Sequence, residues 1–181
     1  MPSLKLDSGG IFPHISLPLV GGGETKLGQS DDPKNWRLVF IYRGLHCPVC
    51  HKYLKKLDSM KDKFLDAKAE IIVVSADPTE RAEAMVNEED LSLQVCYGLS
   101  IEQMQSLGLW LSKPRPTDDV DHVFPEPALF AINTDRKIQL IDQSNTPFNR
   151  ADLDELLDTI IWIQENNYPT RGTYGQKGST V

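Results

Sequence analysis

A pair of cysteines directly after a short apolar run is the feature that constrains this chain most. Residues 38–41, Leu-Val-Phe-Ile, are rich in strand-forming residues and predict a buried β-strand. Gly44 lets the chain turn, and Pro48 fits the first position of a helix, where no backbone N–H is needed and a helical φ is already set. The sequence therefore predicts a strand, a tight turn and a helix that begins at Cys47.

This placement predicts a reactive thiol. Unpaired N–H groups and the positive end of the helix dipole point at the sulfur of Cys47, where they stabilise the nucleophilic thiolate. Cys50 lies one turn further along the helix and is within reach to close a disulfide. Arg43 and His46 are positioned to lower the pKa of the thiol further, although His46 fits better as an exposed turn residue.

The patterns after the cysteines indicate an α/β chain. A long amphipathic helix comes first, and the apolar run 71–74 then predicts a parallel strand buried on both faces. The later patterns predict a helix over 77–89 with Asp77 as its N-cap, a short strand over 93–97, a helix beginning at Ser100, a long surface loop over 110–127, strands over 128–132 and 138–141, and a helix over 150–166. Alternating apolar residues within 9–28 predict a hairpin ahead of all these elements.

At 181 residues the chain is long enough for one domain with a substantial core. We expect residues 1–34 to form an N-terminal extension that contains the hairpin, residues 35–167 to form the domain, and residues 168–181 to form a tail. No apolar run is long enough to span a membrane, and a net charge of −7 argues against nucleic-acid binding, which needs a basic face.

The expected use of cysteine depends on the compartment. Residues 1–10 contain no hydrophobic signal core, so we expect a cytoplasmic protein. That compartment is reducing, and three cysteines there suit catalysis or metal binding better than structural disulfides. Cys96 follows apolar neighbours and is expected to be a buried, inert thiol. His122 lies in the predicted loop and is expected to be a surface residue.

The order of the elements, with a C-x-x-C pair at the first helix, resembles the thioredoxin fold over roughly residues 35–166. The resemblance implies a central mixed sheet flanked by helices, here with an N-terminal β-hairpin and a helical insertion. Pro127 directly precedes the third core strand, where thioredoxin-like proteins keep a cis-proline that faces the cysteines. We therefore expect Pro127 to be cis and to present a backbone edge to substrate.

More closely, the chain resembles the alkyl hydroperoxide reductase/thiol-specific antioxidant (AhpC/TSA) family of peroxiredoxin-like proteins. The resemblance rests on the hairpin and on residues 42–44, 74–77, 97–99 and 130–133. Peroxiredoxins carry Pro-x-x-x-Thr-x-x-Cys. Laid over this chain without a gap, the motif places its cysteine on Cys50, its threonine on Cys47 and its proline on Arg43. The arginine that the family uses near the later strand has no counterpart in residues 124–128.

The resemblance implies a thiol-dependent antioxidant enzyme that reduces peroxides. Cys47 and Cys50 would form the redox pair, Arg43 and Pro127 would contact the substrate, and no bound cofactor is required because the thiols supply the electrons. Thioredoxin, glutathione or a similar reductant would restore the thiols, and a homodimer is expected. Either cysteine suits the first attack, because Cys50 is the aligned residue whereas Cys47 is expected to be the more exposed.

Several other hypotheses use the same residues. A thioredoxin-like disulfide reductase without peroxidase activity would use Cys47 as its nucleophile, and a non-catalytic redox-sensing or binding module would change shape when the bridge forms. Cys47 to His51 also matches the haem attachment pattern C-x-x-C-H. A zinc site would combine the two cysteines with His46 or His51, although no second C-x-x-C or distant histidine pair completes the ligand set.

Overall fold

The computed structural model describes residues 5–176, and within them strands and helices alternate from Trp36 to Ser112. In chain order the elements are β1 (Ser16–Pro18), β2 (Glu24–Lys26), β3 (Trp36–Ile41), α1 (Pro48–Asp66), β4 (Ala69–Val74), α2 (Thr79–Glu89), β5 (Gln94–Cys96), α3 (Ile101–Ser106), β6 (Leu111–Ser112), β7 (Phe124–Pro125), β8 (Ala128–Ile132), β9 (Ile138–Gln143) and α4 (Leu153–Glu165). The outermost parts of the expected extension and tail, residues 1–4 and 177–181, lie outside the described residues.

A five-stranded mixed sheet in the order β5-β4-β3-β8-β9 forms the centre of the fold. β3 pairs in parallel with β4, and β4 with β5, whereas β8 runs antiparallel to both β3 and β9. All the residues of β3 are buried, which explains why residues 38–41 form a continuous apolar run rather than an alternation. The predicted α/β fold with a central mixed sheet is thereby confirmed.

Each face of this sheet carries its own apolar core. Helices α1 and α4 cover one face, and its buried residues include Leu54, Leu57, Phe64, Leu156 and Ile160. The N-terminal hairpin and α3 cover the other face, and its buried residues include Phe12, Leu17, Leu27, Met104 and Phe130. The hairpin predicted within residues 9–28 is present, and it packs on the sheet as a layer of the fold.

Two local predictions were wrong. The N-cap of α2 is Pro78, whose side chain has no group that could cap the helix. Asp77, the predicted N-cap, instead accepts the backbone N–H of Leu45 with its carboxylate. The predicted loop 110–127 contains the antiparallel pair β6–β7, so only residues 113–123 form an irregular loop. Both differences arise from partners that are distant in sequence, which local patterns do not reveal.

The described part of the tail packs back on the domain. Thr170 donates a hydrogen bond to Gln139 in β9, and Ser8 donates one to the carbonyl oxygen of Gly172. The N-terminal segment, the edge strand and the tail are thus joined to one another. Among the described residues, no helix is long and apolar enough to cross a membrane.

Two leucines of α1 test how strongly this helix depends on its buried face. Leu57 is 0% exposed and Leu65 is 50% exposed. We expect Leu57→Ala to lower the free energy of unfolding by about 2–5 kcal/mol, since it leaves a cavity, and Leu65→Ala to change it by less than about 1 kcal/mol. Urea denaturation of the two variants measures both values. Equal losses would contradict the packing described above.

Candidate active site

The turn between β3 and α1, residues 43–47, carries the first cysteine and is called the thiol turn below. Cys47 is the N-cap of α1, and Pro48 is the first helical residue, as predicted. The Sγ atom of Cys47 accepts a hydrogen bond from the backbone N–H of Cys50 at 3.3 Å. The same N–H also donates to the Cys47 carbonyl oxygen at 3.0 Å. A sulfur in this position faces the positive end of the helix dipole, so a negative charge there is stabilised.

Both sulfurs of the pair are shielded from solvent. Cys47 is 1% exposed and Cys50 is 0% exposed. Cys47 is thus the more exposed of the two only by a small margin, and the difference expected from the sequence is nearly absent. The segment before α4 brings the side chain of Arg150 to the pair, and its Nη2 atom lies 2.9 Å from Sγ of Cys50 and 4.0 Å from Sγ of Cys47.

Arg150 is the main residue that the sequence did not reveal. Its guanidinium is fixed by a hydrogen bond of 2.8 Å from Nε to the carbonyl oxygen of Pro147 and by a position over the ring of Tyr53. The two cysteines are about a hundred residues away in the chain, so no local spacing connects them with it. One feature of the sequence could have drawn attention to Arg150: it is a cation two residues before the N-cap of α4, where the helix dipole disfavours positive charge.

The electrostatics of the pair assign the negative charge to Cys47. The hydrogen bond from the thiol of Cys50, the backbone N–H of Cys50, Arg43 and Arg150 together lower the pKa of Cys47 to about 6, although burial opposes them. Burial, followed by donation of its proton toward Cys47, raises the pKa of Cys50. Arg150 lies closer to Cys50, but these two causes outweigh its charge. The reduced site is thus one thiolate with one thiol beside it.

Arg43 is held beside the pair by a buried carboxylate. Its Nε atom lies 3.1 Å from Oε2 of Glu126, whose other oxygen accepts a hydrogen bond of 2.7 Å from the hydroxyl of Ser112. The guanidinium carbon also lies 4.7 Å from the centre of the Phe124 ring. Residues 124–128 lack the arginine that the family uses in this region. They contribute Glu126 instead, and its carboxylate orients Arg43 of the thiol turn.

Pro127 lies directly before β8, as expected, but its peptide bond is trans. None of the peptide bonds within residues 5–176 is cis, so the expectation of a cis-proline was wrong. The backbone on either side is bonded as extended chain: Glu126 donates its N–H to Trp110, and Ser144 donates its N–H to the carbonyl oxygen of Pro127. Pro127 lines a cleft together with Arg150 and Tyr53, so it stays near the pair.

His46 differs from the exposed turn residue that the sequence suggested. Its ring is partly buried and packs 4.5 Å from the centre of the Phe124 ring. Burial and the nearby charge of Arg43 lower the pKa of His46 to about 4. The ring is therefore neutral at physiological pH, and it adds no positive charge that would stabilise the thiolate.

Two ionisable side chains bind the backbone of Leu45 in the thiol turn, one at its N–H and the other at its carbonyl oxygen. Oδ2 of Asp77 accepts the Leu45 N–H at 2.7 Å, and Nε2 of His51 lies 2.7 Å from the Leu45 carbonyl oxygen. The other ring nitrogen of His51 lies 2.8 Å from Glu89. Because both partners of the ring are acceptors, both nitrogens carry a proton. Burial alone would lower the pKa of His51, but these partners outweigh it and raise the pKa.

The close packing of this turn explains its glycine. Gly44 has a φ of +136°, in the region that favours glycine, and a Cβ atom there would lie 2.7 Å from Oδ1 of Asp77. A side chain at this position would push the carboxylate away from Leu45. The sequence identified Gly44 as a turn residue, but it gave no sign of the second requirement.

Cys96 and His51 are side chains of types that bind metals, but their surroundings do not make them a metal site. Cys96 is buried, as predicted, and burial raises the pKa of its thiol to about 12. Both ring nitrogens of His51 are engaged by Leu45 and Glu89 and are not free to bind a metal. Within residues 5–176 no group of three or more His, Cys, Asp or Glu side chains is arranged to hold a metal ion.

Comparison with known proteins gives a consistent answer at the level of family and fold. The model of the AhpC/TSA family matches residues 9–141. A search of curated proteins gives no match. Among solved structures, a cysteine-to-serine mutant of peroxiredoxin 6 from Arenicola marina shares 17% identity at a TM-score of 0.74, covering 90% of this chain and 76% of that chain. Such structural likeness at low identity shows the fold alone.

Two further structures extend the comparison. The reduced 2-Cys peroxiredoxin of Plasmodium vivax shares 19% identity at a TM-score of 0.74, covering 97% of this chain and 92% of that chain. AhpC of Mycobacterium bovis shares 19% identity at a TM-score of 0.72, covering 93% of this chain and 98% of that chain. The thioredoxin-like fold expected from the sequence is thereby confirmed.

The thiolate assignment predicts a single low titration step. Ultraviolet absorbance of the reduced protein should rise with a midpoint near pH 6, as Cys47 ionises. Cys47→Ser should remove the step, Cys50→Ala should move it upward because the thiol donor is lost, and Cys96→Ser should leave it unchanged. A step that survives Cys47→Ser and disappears in Cys50→Ala would place the thiolate on the other sulfur.

Proposed function

Because the chain belongs to the AhpC/TSA family, we propose that it is a thiol peroxidase that reduces a small hydroperoxide with Cys47 and Cys50 as its dithiol. Family membership and the peroxiredoxin fold support a thiol oxidoreductase in general. The observation that carries the finer proposal is the position of Arg150 at both sulfurs. It puts a fixed cation beside a thiolate, where negative charge moves from sulfur to a leaving oxygen during attack on a peroxide.

The proposed reaction oxidises both thiols in two steps. The thiolate of Cys47 attacks one peroxide oxygen, so that an S–O bond forms, the O–O bond breaks, and the other oxygen leaves as an alcohol or as water after taking a proton from solvent. Cys47 is then a sulfenic acid. The thiol of Cys50 attacks the Cys47 sulfur, an S–S bond forms, and water leaves with the proton of Cys50. The peroxide gains the two electrons that the sulfurs lose.

The shielding of the pair favours a small oxidant. Pro127, Tyr53, Leu129 and Arg150 line a small cleft beside the pair. Arg150 belongs both to this cleft and to the sulfur pair, so a hydroperoxide that enters the cleft meets the guanidinium first. A protein disulfide would have to reach sulfurs that are almost completely covered. The proposal therefore assigns substrate contacts to Arg150 and Pro127, and Arg43 acts by stabilising the thiolate.

The departures from the peroxiredoxin motif are compensated in this arrangement. The threonine position of the motif is Cys47 itself, which is the attacking sulfur in this proposal, and Cys50 at the cysteine position of the motif is the second sulfur of the pair. Arg43 occupies the proline position and is oriented by Glu126 from the later strand region. Arg150 supplies the cation that residues 124–128 lack. In this proposal the site thus contains a thiolate, a second thiol and two guanidinium groups, although they come from positions that differ from those of the peroxiredoxin motif.

A disulfide reductase is the second candidate. It is favoured by one observation: Cys47 is the N-cap, has a lowered pKa, and has a protonated thiol one turn away, which is the arrangement that disulfide exchange requires. In either case a dithiol such as thioredoxin, or glutathione, would reduce the Cys47–Cys50 bridge again. A homodimer stays a prediction from the family resemblance.

The two candidates are separated by the oxidant that the reduced protein consumes. We expect hydrogen peroxide to react far faster than with a free thiol at the same pH, because the thiolate is preformed beside two guanidinium groups. Stopped-flow tryptophan fluorescence gives the rate. Cys47→Ser should abolish the fast phase, Cys50→Ser should stop at the sulfenic acid, and Cys96→Ser should behave like the wild type. Fast exchange with a small disulfide and a peroxide rate no better than a free thiol would favour the reductase.

Arg150 has a matched control in Arg171, which lies over the ring of Tyr168 and away from the sulfurs. Arg150→Met should lower kcat/KM for hydrogen peroxide by about a hundredfold to a thousandfold, since one preorganised donor at the reacting atoms is lost. Arg171→Met should leave it unchanged, and Arg150→Lys should fall between them because a point charge replaces the planar fork. Steady-state peroxide consumption measures all three. Equal rates for the two methionine variants would exclude a catalytic role for Arg150.

A further inference from the structure

The segment that carries Arg150 is docked along one side of α1. Three side chains of this helix contact three residues of the segment in order: Cys50 with Arg150, Tyr53 with Ala151, and Lys56 with Asp154. Side chains three residues apart in a helix are neighbours on its surface. The side of α1 that presents Cys50 therefore also holds residues 147–154, which are called the arginine segment below.

Tyr53 makes the firmer of the two contacts that do not involve sulfur. Lys56 and Asp154 are both exposed, and exposed ion pairs contribute little to stability. Tyr53 is partly buried, its ring lies 6.3 Å from that of Phe40 in β3, and its hydroxyl donates a hydrogen bond of 2.8 Å to the carbonyl oxygen of Ala151. Burial raises the pKa of the phenol, so the hydroxyl keeps the proton that it donates.

The same tyrosine also contacts the guanidinium itself, whose carbon lies 4.9 Å from the centre of the Tyr53 ring. The bond from Nε of Arg150 to the Pro147 carbonyl oxygen lies within the arginine segment. It orients the side chain relative to its own backbone, but it cannot fix that backbone on α1. Tyr53 fixes both, because its ring contacts the guanidinium and its hydroxyl binds the next peptide.

An aromatic ring holds this cation in a way that a carboxylate would not. Arg43 is paired with the carboxylate of Glu126, whereas Arg150 forms no ion pair with a carboxylate of residues 5–176. The face of a ring attracts a guanidinium through its quadrupole and carries no net charge. The charge of Arg150 is therefore left to act on the two sulfurs beside it.

We propose that Tyr53 is a positioning residue that holds the guanidinium of Arg150 at the Cys47–Cys50 pair, with its ring against the cation and its hydroxyl on the Ala151 carbonyl. Tyr53 acts through Arg150 and needs no contact with the reacting atoms. The inference deepens the proposed function and rests on it for the role of Arg150 in the reaction. The positioning itself is a property of the reduced protein and can be measured without any peroxide.

A pair of alkylating reagents measures the cation at the sulfur. Iodoacetate is an anion and iodoacetamide is neutral, so the ratio of their rates at Cys47 reports the local charge, and the thiolate fraction cancels from it. In the reduced, full-length protein, Arg150→Met should lower this ratio by about fivefold or more, which is the effect of one unit charge about 4 Å away even at the dielectric constant of water. Mass spectrometry of the labelled peptide separates Cys47 from the other cysteines.

The Tyr53 variants should follow Arg150→Met. Tyr53→Leu removes both contacts and should lose most of the same ratio, whereas Tyr53→Phe keeps the ring and should fall between it and the wild type. The titration midpoint of Cys47 should move upward in Tyr53→Leu, because the charge of Arg150 lowers that pKa. Tyr168→Leu is the matched control, since its ring lies 6.0 Å from the Arg171 guanidinium and away from the sulfurs, and it should behave like the wild type.

A double-mutant cycle separates positioning from a general loss of structure. In the Arg150→Met background, Tyr53→Leu should lower the ratio no further, because the group through which it acts is already absent. A wild-type ratio in Tyr53→Leu would overturn the proposal, and so would an equal loss in both backgrounds. If Tyr53→Leu does not fold, Tyr53→Phe carries the same cycle with the same criteria.

Failure of this inference is distinguishable from failure of the proposed function. The alkylation ratio and the titration midpoint use neither a peroxide nor a disulfide. A protein that shows the expected cycle but consumes hydrogen peroxide no faster than a free thiol would contradict the peroxidase and leave the positioning role of Tyr53 supported. Fast peroxide consumption with an unchanged ratio in Tyr53→Leu would do the reverse.

Discussion

A negative charge on a sulfur that water hardly reaches must be stabilised by the protein itself, and this requirement explains much of the structure around Cys47. The charge is stabilised by the thiol and N–H of Cys50 and by the guanidinium groups of Arg43 and Arg150. Each arginine needs support of its own, which Glu126 gives to Arg43 and the Pro147 carbonyl gives to Arg150. Residues from both ends of the domain therefore converge on one atom.

The same principle applies to the backbone next to that atom. The Leu45 peptide is held at its N–H by Asp77 and at its carbonyl by His51, and Glu89 fixes the histidine in turn. These side chains come from the segment between β4 and α2, from α1 and from α2. The position of the thiol turn is thus set by side chains from three parts of the fold.

The sequence was informative wherever the determining interactions are local. The strand, Gly44, Cys47 as N-cap and Pro48 as first helical residue depend on neighbouring residues, and all were predicted correctly. The mixed sheet was expected from the resemblance to the thioredoxin fold, which rests on the order of the strands and helices. Asp77 shows the limit: it fits the pattern of a helix cap, but a distant N–H competes for its carboxylate and wins.

Arg150 and Pro127 show the same limit in the site. Arg150 is separated from Cys50 by a whole domain of chain, and only the folded structure brings its guanidinium to 2.9 Å from the sulfur. Pro127 was expected to be cis from the resemblance to thioredoxin-like proteins, but its neighbours bond as extended trans backbone. His46 was assigned to the surface, whereas a ring from the later strand region partly covers it. Each error concerns a contact between elements that are distant in sequence.

The central claim is that Cys47 and Cys50 act as one dithiol while Cys96 takes no part. The most direct test is peptide mapping by mass spectrometry after the reduced protein has reacted with one equivalent of hydrogen peroxide. The account predicts a Cys47–Cys50 disulfide in most molecules, with Cys96 recovered as a free thiol. A bridge that includes Cys96, or a product in which Cys47 and Cys50 are both still free thiols, would contradict it.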